Sequence, residues 1–205
     1  MINIIEFYGN ESKSRYEKIS LIHKKSIKEG FLASLSLLIL IQLYRGFARS
    51  EHSKLFIALD DTEDNILGFI VVSFSTSKLY KEIIFKQFFK IAPLLLPKII
   101  SISFLRKIFE TLFYPFNKKI LPEVQSELLN FCVSHDSRGQ GVGEKLFFRV
   151  RNTLIKRNID SMKIVTGRDQ ISAQKFYEKH HATLFGSQEI HKGSASLIYQ
   201  YNTTE

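Results

Sequence analysis

The stretch Val133-Ser134-His135-Asp136-Ser137-Arg138-Gly139-Gln140-Gly141-Val142-Gly143 constrains this chain more than any other. An apolar run, Leu128 to Val133, precedes it, and a long amphipathic run, Glu144 to Arg157, follows. That order reads as strand, glycine-rich turn and helix. Gly139, Gly141 and Gly143 remove Cβ atoms where the backbone must turn tightly or lie against a ligand. The amides after Arg138 then open a helix N-terminus, where unpaired donors and the helix dipole favour a phosphate.

Two phosphate-binding patterns fail here. A Walker loop needs Lys and then Ser or Thr directly after its last glycine, whereas Glu144 and Lys145 follow Gly143. A dinucleotide fingerprint needs its third glycine where Glu144 stands. Arg-x-x-Gly-x-Gly does fit, at Arg138, Gly141 and Gly143, behind a strand ending at Val133. This frame resembles the acyl-CoA pyrophosphate loop of the GNAT N-acetyltransferase superfamily, with His135 where proline is usual. A second stretch agrees. Gln170-x-x-Ala173-x-x-Phe176-Tyr177-Glu178-Lys179 is similar to the GNAT segment Asn-x-x-Ala-x-x-x-Tyr-Glu-Lys-x-Gly-Phe, one strand further along. Gln170 stands for Asn, His181 for Gly and Ala182 for Phe. His181 fits the tight turn after this helix less comfortably than glycine.

The resemblance implies an α/β fold, a mixed and mostly antiparallel central sheet flanked by helices, formed by one domain over residues 1–205. It implies acetyl-CoA as cofactor and acetyl transfer to a primary amine by direct attack. The cradle for the coenzyme is then Arg138, Gly139, Gln140, Gly141, Val142, Gly143 and Glu144. The backbone of Phe131, Cys132 and Val133 would pair with the pantetheine amides beside a bulge near Val133. Gln170 would offer its amide to the same arm, with Ala173 and Phe176 on its helix. Tyr177 takes the place of the family tyrosine beside the thioester sulfur, where a phenol can protonate the leaving thiolate. Glu127, six residues before Val133, matches the general-base position of histone-type members and shares strand parity with Leu129 and Phe131. Half-buried beside a thioester, it would have a raised pKa. A water relay is the alternative to a carboxylate base. Cys132 reads as a small apolar filler rather than an acyl carrier.

Upstream, Asn3 to Tyr8 reads as a strand and Ser12 or Ser14 as the cap of a helix reaching about Lys28, carrying Tyr16, Ile19, Ile22 and His23 on one face. Gly30 breaks it, and a largely apolar helix follows from Phe31 to about Phe47. Leu55 to Leu59 and Ile66 to Phe74 read as a hairpin. The pattern His23-x-x-x-Ile27-x-x-Gly30-Phe31-Leu32-x-x-Leu35 resembles GNAT proteins of surface-polysaccharide and nucleotide-sugar pathways. It marks His23 and Phe31 as substrate-binding and points to a nucleotide- or lipid-linked amino sugar as acceptor. A protein or peptide N-acetyltransferase and a non-catalytic acyl-CoA-binding module are the rival readings.

Net charge is +9, and its placement matters. Within 78–119, nine basic residues stand against Glu82 and Glu110, between apolar residues at helical spacing. Pro93 and Pro97 would divide this segment into two helices. It reads as a helical insertion that either covers the sheet or lies on an anionic membrane surface. No nucleic-acid motif accompanies the charge. The most apolar run, Phe31 to Tyr44, is shorter than the ~20 residues a bilayer requires. Together with a single cysteine and no basic leader, this fits a cytoplasmic protein, with 78–119 available to the inner face of the membrane. His180 and His181 diverge by ~100° on a helix and cannot chelate together, so no metal is expected. Beyond 120, Glu123 to Ser134 reads as the central strand, Gly143 to Arg157 as a helix and Met162 to Thr166 as a strand. Gln170 to His181 reads as a helix, and Thr183 to Phe185 with Ala195 to Tyr201 as the closing strands.

Overall fold

A computed structural model describes residues 1–27, 31–95, 123–191 and 194–204. In chain order they form β1 (Asn3–Phe7), α1 (Lys13–Ser26), α2 (Phe31–Ser34), α3 (Leu37–Arg49), β2 (Ser53–Leu59), β3 (Ile66–Ser73) and α4 (Thr76–Leu95). Then come β4 (Glu127–Val133), a 3₁₀ turn (His135–Ser137), α5 (Val142–Ile155), β5 (Ser161–Gly167), α6 (Ile171–Lys179), β6 (Thr183–His191) and β7 (Ser194–Asn202). The strands make one sheet in the order β1-β2-β3-β4-β5-β7-β6, and only β4 and β5 run parallel. This is the expected mixed, mostly antiparallel sheet between helices.

Both faces of the sheet are buried, which explains why the central strands are apolar without alternation. Leu55, Ile57 and Leu59 of β2 pack with Tyr16, Ile19, Leu40, Tyr44 and Phe69 under the early helices. Phe56 and Ala58 point the other way, to Leu146, Phe147, Tyr177 and Tyr199 under α5 and α6. Ser12 caps α1 by accepting from the Arg15 amide, as its position predicts.

The structure differs from the sequence reading in four places. The single helix expected from Phe31 to Phe47 is two, because Ser36 caps α3 by accepting from the Ile39 amide at 3.4 Å. A serine hydroxyl competes with the helical ladder more effectively than the continuous apolar run suggests. The break expected at Pro93 does not occur, since α4 continues to Leu95. Pro93 removes one amide from the ladder, a loss that the helix tolerates at least as far as Leu95. Pro97 and the second helix expected up to Lys119 lie outside the described residues. The closing hairpin extends beyond Phe185, to His191.

The fourth difference concerns β4. The bulge lies at Leu129, not near Val133: Val71 pairs with Asn130 and Val72 with Leu128, which leaves Leu129 as the extra residue. It reverses the side-chain alternation beyond it. Leu129 packs under the early helices, whereas Phe131 and Val133 join the opposite core. Glu127, Leu129 and Phe131 therefore do not share one face, as simple parity predicted.

Candidate active site

The loop after β4 folds as a donor cradle. The 3₁₀ turn ends at Arg138, and Gly139 and Gly141 take φ of +75° and +78°, a region open to glycine at little cost. The first helical hydrogen bond of α5 is Lys145 N–H to Gly141 C=O at 3.1 Å. Among the described residues, the amides of 139–144 donate to no other group. Consecutive unpaired amides at the positive end of a helix make an anion site. A Cβ on Gly139 or Gly141 would meet nothing within 4 Å, so their outer side is open. Gly143 serves a different purpose. A Cβ there would lie 3.3 Å from Phe131 Cζ and 3.4 Å from Phe176, so it lets α5 settle on that aromatic pair.

The cradle stands at the mouth of a fork. Among the described residues, β4 and β5 pair only at Glu127↔Lys163 and Leu128↔Ile164. From Leu129 on, no described strand lies on that side of β4, so the peptide groups that face it, every second one, are open to a partner that can hydrogen-bond like a strand. Phe131, Cys132 and Val133 lie in this open part, leading directly to the loop. The cradle fits a pyrophosphate, and the fork fits an amide-bearing arm joined to it.

Tyr177 of α6 is buried against Phe147 and Tyr199. Burial and the neighbouring Cys132 thiol push its phenol pKa up, so it stays protonated. Among the described residues its hydroxyl has no hydrogen-bond partner. Cys132 is itself buried, and burial raises its thiol to about 12, which leaves it a poor nucleophile. Gln170 precedes α6 and accepts a 2.8 Å hydrogen bond from Thr166 on its Oε1. That bond orients the amide and leaves the Nε2 donor available. Ala173 and Phe176 pack partly buried under α5. Glu144 contributes its amide to the cradle, while its carboxylate turns to Lys179 at 2.6 Å and His180 at 3.9 Å. The turn after α6 forms despite the missing glycine. His181 takes φ +64°, and the Ala182 amide reaches Tyr177 C=O at 2.9 Å.

Glu127 is buried at the closed end of the fork. Its Oε2 lies 3.0 Å from Lys163 Nζ and 3.5 Å from Thr76 Oγ1. Burial raises its pKa, and Lys163 and Thr76 oppose that rise. The sequence reading missed Lys163 and Thr76. Their signal was a lysine alternating with the buried Met162 and Ile164, but nothing in sequence distance brings it to Glu127. His23 is fully buried in α1. Its Nδ1 bonds the Tyr44 hydroxyl, and among the described residues its Nε2 has no partner. Burial lowers its pKa to about 4, so the ring is neutral. The backbone of Phe31 begins α2, and its side chain lies outside the described residues.

Residues 120–196 match the family model described as the acetyltransferase (GNAT) domain. No curated protein sequence matches the chain. Among solved structures, it is similar to a GNAT-family acetyltransferase from Staphylococcus aureus Mu50, at 18% identity and TM-score 0.60, with 99% of each chain covered. A GNAT-family acetyltransferase from Desulfovibrio desulfuricans gives 10% identity and TM-score 0.61, again with 99% of each chain covered. The PaiA N-acetyltransferase of Thermoplasma acidophilum, solved in complex with coenzyme A, gives 13% identity and TM-score 0.58, covering 98% of this chain and 99% of that one. At such identities the likeness establishes a shared fold.

Proposed function

We propose that this chain, a GNAT-fold acyltransferase by its match over residues 120–196, transfers an acetyl group from acetyl-CoA to a primary amine. One observation carries the reading: among the described residues, the unpaired amides at 139–144 follow directly on a stretch of β4, 129–133, that has no strand partner on its β5 side. Acetyl-CoA, when bound, supplies the activated acyl group. The amides of 139–144 hold the twin phosphates, with Arg138 beside them. The open peptide groups of Phe131 and Val133, on either side of Cys132, hold the pantetheine arm, and the Gln170 amide adds a donor. The solved relative with coenzyme A bound supports acetyl-CoA as the cofactor.

Glu127 takes a proton from the incoming ammonium, directly or through a water. As nitrogen bonds the carbonyl carbon and the carbon–sulfur bond breaks, the Tyr177 hydroxyl gives its proton to sulfur. The remaining proton shed by the new amide replaces it. For the acceptor, the pattern around His23 and Phe31 supports an amino sugar on a nucleotide or lipid carrier. The basic 78–119 segment would then rest on an anionic membrane. Among the described residues no helix is long and apolar enough to cross one.

The test of the cradle is Gly141→Val, which forces a β-branched residue to φ +78° in open space. Acetyl-CoA affinity by calorimetry should fall at least about tenfold, or about 1.4 kcal/mol, with an unchanged circular dichroism spectrum. Unchanged affinity would remove the loop from the reading. Thiol release from acetyl-CoA with amino-sugar nucleotides, polyamines and peptides then ranks the acceptors. Release with peptides alone would replace the sugar reading, and tight coenzyme binding without any release would favour a binding module. Failure to co-sediment with anionic vesicles would remove the membrane contact.

A further inference from the structure

The contacts of Glu127 fall on one oxygen. Lys163 Nζ and Thr76 Oγ1 both approach Oε2, and among the described residues nothing bonds Oε1. This division follows from the fold. Glu127 and Lys163 are register partners on adjacent parallel strands, at the end where the Lys163 amide also donates to Ser126 C=O at 3.0 Å. Met162 and Ile164 bury in the opposite core, so Lys163 must project onto the face where Glu127 meets α4. The side chains of Glu127 and Lys163 are only 7% and 15% exposed, so solvent screens the pair little.

We propose that Lys163 is the positioning residue for the reaction, holding Glu127 by Oε2 so that Oε1 is the oxygen presented to the acceptor amine or its bridging water. The inference rests on Glu127 serving as the base. An ammonium at 3.0 Å favours the carboxylate, the only form able to accept a proton. The hydroxyl of Thr76 fixes the plane of the group. Tyr80 on α4 is the other titratable group set against Glu127, and burial together with that carboxylate keeps its phenol protonated. β3 places uncharged Ser73 opposite. Lys163 is therefore the cation that sets this carboxylate among the described residues.

A buried pair could instead serve only to hold the strands together, so the readout must separate charge control from stability. The experiment follows the Glu127 side-chain carboxyl by carbon-13 NMR against pH in the full chain, with the signal assigned by its loss in Glu127→Gln. Lys163→Met should move the titration midpoint up by about 1 pH unit or more, the effect of losing an adjacent opposite charge. Lys163→Arg should restore it. The acidic limb of thiol release from acetyl-CoA, with glucosamine as the amine, should move by the same amount. A midpoint unmoved in Lys163→Met, whatever the melting temperature does, overturns the proposal. Where Lys163→Met does not fold, Lys163→Gln keeps a polar stem and is judged by the same midpoint. Wild-type turnover in Glu127→Gln overturns the base reading beneath it, independently of what Lys163 does to the titration.

Discussion

His23 is neutral for a reason that can be measured. Its folded pKa, about 4, lies below the 6.5 of an unhindered imidazole, so between these values the unfolded chain binds the extra proton. Stability from this group is complete above 6.5 and is lost as pH falls toward 4. The loss is of order 3 kcal/mol if the whole shift is realised. Urea melts at pH 7 and pH 4.5 should diverge less for His23→Gln than for wild type, and equal divergence would reject the assignment. Tyr177→Phe removes a hydroxyl with no hydrogen-bond partner among the described residues, so folding should be nearly unaffected. Turnover should drop by ten- to a hundredfold with little change in acetyl-CoA affinity, which a thiol-release assay and calorimetry resolve. At this scale the sequence exposed residue types but not their surroundings. Tyr177 was visible through its motif spacing, whereas the burial of Glu127 and its partners Lys163 and Thr76 come from three separate elements. Lys179, which draws the Glu144 carboxylate aside, was visible only as a motif letter.

Between strand and helix, neighbouring glycines carry different loads. Gly141→Val addresses the ligand, while Gly143→Ala inserts a methyl against Phe131 and Phe176. The second change should disturb that packing and alter the melting temperature more than it weakens acetyl-CoA binding. The reverse ranking would mean that the glycines have been assigned the wrong way round. At the end of α6, His181 holds a left-handed conformation that glycine adopts without strain. His181→Gly should therefore raise stability by about 1 kcal/mol, read from denaturant midpoints. Elements with strong period and clear caps, such as α1 after Ser12 and α5 after Gly141, were legible. The gap between α2 and α3 was not, because hydrophobicity runs unbroken through it and one serine decides the matter. The bulge at Leu129 was misplaced for a similar reason: it is a property of pairing with Val71 and Val72, absent from β4 alone.

Across the molecule, two cores cover opposite faces of the sheet, and β4 and β5 part beyond Leu128. Binding of acetyl-CoA should slow amide exchange at residues 129–133 and 139–144 while leaving the β1–β2 pair unchanged. Uniform slowing would point to global stabilisation instead of a ligand in the fork. Strand order and the site of parting depend on contacts far apart in sequence, so a local reading could name the strands without seating them. The fork also bears on how the protein should be handled. An empty cleft offers bare peptide groups from within the sheet, an invitation to any extended segment that drifts past. Saturating the preparation with coenzyme at a hundredfold excess over its dissociation constant would add about 2.7 kcal/mol and close that invitation. The donor molecule thus doubles as a guardian against clumping, and stocks kept without it should be the first to cloud.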